Sequence, residues 1–140
     1  MTKEFLQSLG GLIFLFMFFM HILEDFHLQG ILAKMKEKMW WEQNYSDVKY
    51  CDDFIIALIM HGYEWAFMIM LPIIIYMIAV SNIHWHFILY GIVINGAIHC
   101  YIDHLKCNKY QINLEQDQFF HLIQIFLTWT IWILVYVAKL

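Results

Sequence analysis

The chain has 140 residues, of which 62% are hydrophobic and 14% charged, with a net charge of −4 and a mean hydropathy of +0.60. A soluble fold of this length could not hide so much apolar surface, and a disordered chain would carry far less of it, so both classes are excluded. Every basic residue is lysine, and the acidic balance with no arginine excludes an arginine-clamped phosphate or nucleic-acid surface.

The first apolar run covers about 5–32, with an uninterrupted core at 12–20. Its start resembles the front half of a signal peptide. No small-x-small site follows, however, and the run ends in His21, Glu24 and Asp25, so a retained helix is expected. A polar segment at 34–53 comes next. It carries Lys34, Lys36, Lys38 and Lys49, with Trp40 and Trp41 expected as an interfacial anchor. The second run, about 54–80, contains Pro72, which should kink the helix without ending it. A lysine-free link at 81–83 leads to the third run, about 85–103, followed by Lys106 and Lys109. The fourth run extends over about 117–138.

Roughly 20 residues cross a hydrocarbon core, and backbone groups there must pair within the segment. The four runs therefore predict an all-α, four-helix transmembrane bundle, one integral membrane domain over 1–140. Six lysines on the first and third loops against two at the termini (Lys3, Lys139) place those loops in the cytoplasm and both termini outside. Trp85, Trp132 and Tyr136 then form an outer aromatic belt. Cys51, Cys100 and Cys107 are odd in number and lack CxxC spacing, so no disulfide framework is expected.

Eight histidines stand out in this apolar background. His21 and Asp25, His99 and Asp103, and Asp117 and His121 are each four residues apart, which puts both members on one helical face. His61 and Glu64 lie early in the second helix. The lysine topology brings all of these to the cytoplasmic half of the bundle. Imidazole with carboxylate is the ligand chemistry of zinc and other divalent metals, and helical bundles build such sites from facing helices. His21, Asp25, His61, His99, Asp103, Asp117 and His121 are thus candidate metal ligands for one or two ions, probed against a plain hydrogen-bonded network. Glu64 is the candidate general base. Gln29 and Gln118 are candidate donors to the ligands, and Lys34 and Lys106 could meet an anionic substrate group or simply anchor the topology. His84, His86, His27 and His104 fall at the helix ends. The shared His-x-x-x-Asp of the first and third helices suggests two parallel helix-hairpin repeats.

These motifs resemble a family of small bacterial and phage membrane proteins catalogued as domain of unknown function 3307. The resemblance lies in His21-Ile-Leu-Glu-Asp25-Phe-His-Leu-Gln29 with Ala33-Lys34-Met-Lys36, in His61, in His99-Cys-Tyr-Ile-Asp103-His-Leu-Lys106 and in Asp117-Gln118-Phe-Phe-His121. Glu24 and His27 depart from the first motif. It implies a multi-pass protein of the bacterial plasma membrane with no assigned activity. A looser similarity, to membrane-bound metal-dependent hydrolases, implies the same motif chemistry.

Three functions fit. The first is a metal-dependent, zinc-type hydrolase acting on a lipid, lipid-linked or membrane-accessible substrate. The second is a metal or proton transporter using the same residues. The third is a regulatory or structural membrane protein, docking a cytoplasmic partner or a second copy at 34–53. No nucleotide or phosphate-loop motif is present.

Overall fold

The structure, a computed structural model, describes residues 3–45 and 47–137. Lys139 and the side chains of Lys3 and Tyr136 lie outside the described residues. Each apolar run forms one long helix, as expected where an amide has no partner but its own chain. α1 (Lys3–Leu23) widens into a π-helical turn at Glu24–Leu28. Gly30, at φ +51°, then reverses the chain, a conformation that favours glycine. The segment expected as a loop is folded into two short helices, α2 (Leu32–Met35) and α3 (Lys38–Asn44), and a 3-10 turn at Val48–Tyr50. α4 (Asp53–Ala79), α5 (Trp85–Cys107) and α6 (Leu114–Trp132) follow, and α6 ends in a second π-helical turn at Ile133–Val137. Among the described residues there is no strand.

Four segments are long and apolar enough to cross a membrane: Leu9–Leu28, Asp53–Ala79, Trp85–Cys107 and Leu114–Val135. The architecture is therefore the expected all-α transmembrane bundle. α4 packs on α1 and α5, and α6 closes the ring against the same two helices. α4 passes unbroken through Pro72, which is buried. α6 begins earlier than its apolar run because Asn113 and Gln116 form a reciprocal capping box. Asn113 Oδ1 accepts from the Gln116 amide at 2.9 Å, and Gln116 Oε1 accepts from the Asn113 amide at 3.0 Å.

The core lies along the bundle axis and includes Ile13, Met17, Trp65, Ile69, Met70, Ile73, Ile125 and Trp132. Large side chains such as Leu15, Phe19, Ile56, Leu89, Phe126 and Leu134 point outward and are more than half or nearly half exposed. This ring of outward apolar residues is what the composition required: the bilayer, not the protein interior, takes up the excess. Two tryptophans differ from expectation. Trp132 is buried against Tyr76, with ring centroids 5.1 Å apart, and does not join an outer belt. Trp41 is buried in a small cluster with Phe54 and Leu58, where its Nε1 donates to the Met35 carbonyl at 2.7 Å. Trp41 finds its hydrogen-bond partner inside, whereas Trp132 is held by ring packing, its Nε1 having no hydrogen-bond partner. Trp85, by contrast, is exposed.

Candidate metal centre

The last turns of the first span place His21, Glu24 and Asp25 on one inward face. α4 adds His61 and Trp65, α5 adds His99 and Asp103, and α6 adds Asp117 and His121. All seven expected ligands are buried, none more than 7% exposed. Their meeting depends on a close approach of α4 and α5. A methyl group on Gly62 would overlap Cys100 Sγ and lie 3.1 Å from the Gly96 carbonyl oxygen. Small residues let transmembrane backbones come this close, and the neighbouring His61 and His99 bring their Nε2 atoms to 3.2 Å.

Four ligand atoms converge there. His61 Nε2 is 3.5 Å from Asp25 Oδ1 and 3.5 Å from Asp103 Oδ2. His99 Nε2 is 3.8 Å from Asp25 Oδ1 and 3.7 Å from Asp103 Oδ2. Ligand atoms bound to one tetrahedral zinc-sized ion stand roughly 3.3–3.4 Å apart; the separations around His61 and His99 approach that spacing, while Asp25 and Asp103 fall in different ligand groups. Two groups could hold a metal ion among the described residues: Asp25, His61 and His99, and His99, Asp103 and His121. Asp103 faces both, since its Oδ1 is 3.5 Å from His121 Nε2. Asp117 Oδ1 lies 3.3 Å from the same nitrogen.

His21 sits beside these groups. Trp65 Nε1 donates to His21 Nδ1 at 2.9 Å, which occupies that lone pair. The Trp65 indole also stacks on the His99 ring at 4.2 Å and forms a floor between the polar cluster and the apolar core. Gln118 Nε2 donates to Asp25 Oδ2 and to Asp117 Oδ2, each at 3.1 Å, tying α6 to the first span. Gln29 Nε2 donates to the Asp25 carbonyl.

The cluster is rich in carboxylates. Glu24, Asp25, Asp103 and Asp117 are all buried. Lys36 pairs with Asp103 Oδ2 at 2.5 Å, and Lys106 pairs with Asp117 Oδ2 at 2.5 Å. Four buried carboxylates thus share two lysines and four buried histidines, a donor set to which a divalent cation could add positive charge. Uncompensated buried charge is strongly unfavourable.

Sequence reasoning missed three participants. Lys36 was read as a topology signal but is only 5% exposed; it enters because the short α2 turns the chain back over the site. Glu24 was read as a departure from the motif. It is buried, neither of its oxygens has a hydrogen-bond partner, and Oε1 lies 3.8 Å from the equally unpartnered His61 Nδ1. Trp65 carried a legible signal, four residues beyond His61 on the same face. Glu64, the expected base, is exposed on α4, and Lys34 is also exposed. Of the remaining histidines, His27 is exposed, and His104 stacks on Phe54 at 6.2 Å. His86 stacks on Tyr90 at 6.3 Å.

The chain matches no family model, no curated protein and no solved structure. The resemblance of its His–Asp motifs therefore rests on those motifs alone.

Proposed function

We propose that this is an integral membrane metalloprotein whose bundle binds one divalent ion, zinc by ligand chemistry, and hydrolyses a lipid or lipid-linked substrate at the cytoplasmic leaflet. The observation that carries this reading is the buried meeting of His61 Nε2 and His99 Nε2 at 3.2 Å with Asp25 Oδ1 3.5 and 3.8 Å from them, a ligand group that could hold an ion. A bound ion supplies Lewis acidity toward an ester, amide or phosphoryl oxygen.

The chain's own groups supply the rest. Glu24 Oε1 stands 3.8 Å from His61 Nδ1, behind the ring, where a carboxylate can orient an imidazole ligand once the two close to hydrogen-bond distance. Glu64, the base expected from the sequence, is exposed on α4 and is not placed at the site. Lys36 and Lys106 pair with Asp103 and Asp117 and present positive charge toward an anionic head group. Trp65 and the apolar core behind it exclude water from the far side. That sealed axis favours an enzyme over a transporter, which needs access from both faces. The lysine-rich loops support a cytoplasmic position for this end, and the motif resemblance supports a bacterial plasma membrane protein.

Elemental analysis of protein purified in detergent without added chelator tests the reading. The expected result is about one divalent ion per chain, lost in His61→Ala and His99→Ala variants that still fold. Metal-free wild-type protein, or metal content indifferent to both substitutions, overturns it.

A further inference from the structure

A groove of about 610 Å³ runs between α5 and α6, open to the lipid side of the bundle. Ile94, Ile98 and Ile102 line one wall, and Phe120, Gln124 and Leu127 the other. Its volume is in the range of small-molecule sites, roughly 300–1,000 Å³. Its shape is unlike a head-group pocket. From the level of His86 to that of Ile102 the α5 wall is about 24 Å long at the helical rise, more than the roughly 15 Å of hydrocarbon in one leaflet and long enough for one extended alkyl chain.

The groove ends at the metal centre. Ile102 and Phe120 immediately precede Asp103 and His121. Midway along, its wall turns polar. Gln124 Nε2 donates to the Asn95 carbonyl at 2.7 Å, and Asn95 exchanges hydrogen bonds with Thr128 at 3.0 and 3.1 Å. Gln124 is 6% exposed, and its Oε1 has no hydrogen-bond partner. In hydrocarbon such an acceptor is costly unless a ligand satisfies it. Gln124 is three residues from His121, about 4.5 Å along the helix axis.

We infer that the α5–α6 groove holds one long alkyl chain of the substrate, with a hydroxyl or amide N–H near the chain's polar end donating to Gln124 Oε1 and the polar end itself lying against Asp103 and His121. This rests on the hydrolase reading and narrows its substrate to lipids bearing such a donor. Bulk bilayer lipid would also wet the groove, but it has no reason to satisfy Gln124.

The test uses full-length protein in phosphatidylethanolamine–phosphatidylglycerol vesicles with trace photo-cross-linking lipids carrying a diazirine toward the chain end. Three matched probes are compared: a plain acyl chain, a 3-hydroxyacyl chain and an amide-linked chain. Labelled peptides are mapped by mass spectrometry. Label from at least one donor-bearing probe should concentrate on groove residues, and which probe does so distinguishes hydroxyl from amide. Gln124→Leu should lower that labelling about fivefold, the worth of one hydrogen bond, and leave the plain probe unchanged. Leu127→Trp, which fills the groove, should lower it about tenfold. Label spread evenly over the lipid-facing residues of all four spans, or unaffected by Gln124→Leu, overturns the inference. Metal content measured on the same preparations separates the two readings. Metal-loaded protein with evenly spread label overturns the groove alone. Metal-free protein labelled in the groove supports the groove and overturns the hydrolase.

Discussion

Gly62→Ala should weaken metal binding without touching a ligand. The added methyl would overlap Cys100 Sγ and stand 3.1 Å from the Gly96 carbonyl oxygen and 3.3 Å from the Cys100 amide nitrogen. The thiol can rotate away, at the loss of its 3.3 Å hydrogen bond to the Leu58 carbonyl. The two backbone atoms cannot. Ordinary contact lies near 3.5–4.0 Å, roughly, so α4 and α5 must part by about half an ångström at this level. His61 adjoins Gly62, so its Nε2 moves away from His99 Nε2 by a similar amount, whereas metal–ligand distances tolerate only about 0.2 Å. Overpacking of this kind costs about 1–3 kcal/mol. If restoring the site draws on that energy, metal affinity falls about 5- to 150-fold. Competition against a chromophoric chelator reads the affinity, and thermal unfolding of the apo protein reads the fold. Gly11→Ala, where an added methyl meets nothing within 4 Å, is the control. A Gly62→Ala protein with wild-type metal affinity would refute the claim that helix spacing sets the His61–His99 geometry.

Other substitutions probe single roles. Glu24→Gln should lower metal affinity about 10- to 100-fold through loss of the carboxylate behind His61; unchanged affinity by the same competition assay would remove Glu24 from the site. His21→Ala should leave metal content near wild type because Trp65 already occupies His21 Nδ1, while His61→Ala should abolish it; elemental analysis showing equal loss in both would contradict that division. Lys36→Met strips a buried cation from Asp103 and should destabilise the metal-free protein by about 3–5 kcal/mol, with added zinc restoring part of the loss in thermal unfolding. An unaltered unfolding temperature would show that the cluster tolerates Asp103 without its lysine partner. Protons compete with the ion for imidazole nitrogen, so affinity should fall as pH falls and the ion should leave below about pH 6. Retention after dialysis at about pH 5 would count against histidine ligation.

Much of this protein was legible before folding was considered. Four apolar runs and the demand that every amide be paired in hydrocarbon lead to four helices, whatever their neighbours. The i,i+4 spacing of His21 with Asp25, His99 with Asp103 and Asp117 with His121 fixes which side chains share a helical face, because helical geometry is local. What local geometry cannot contain is the distance between helices. That His61 and His99 meet nitrogen to nitrogen depends on Gly62 lying against Gly96 and Cys100, contacts between residues far apart in sequence. The same holds for Lys36, which reads as a topology signal in one dimension and becomes a buried counterion to Asp103 in three. Glu24 and Glu64 are both acids near a histidine in sequence. Only packing turns Glu24 toward His61 and leaves Glu64 outside. The sequence by itself determined the class of fold, the ligand chemistry and its one-sided depth. The tertiary structure alone decided which ligands converge, which carboxylate stands behind them and which cations balance them, since each of these is a distance across helices and no spacing along the chain encodes it.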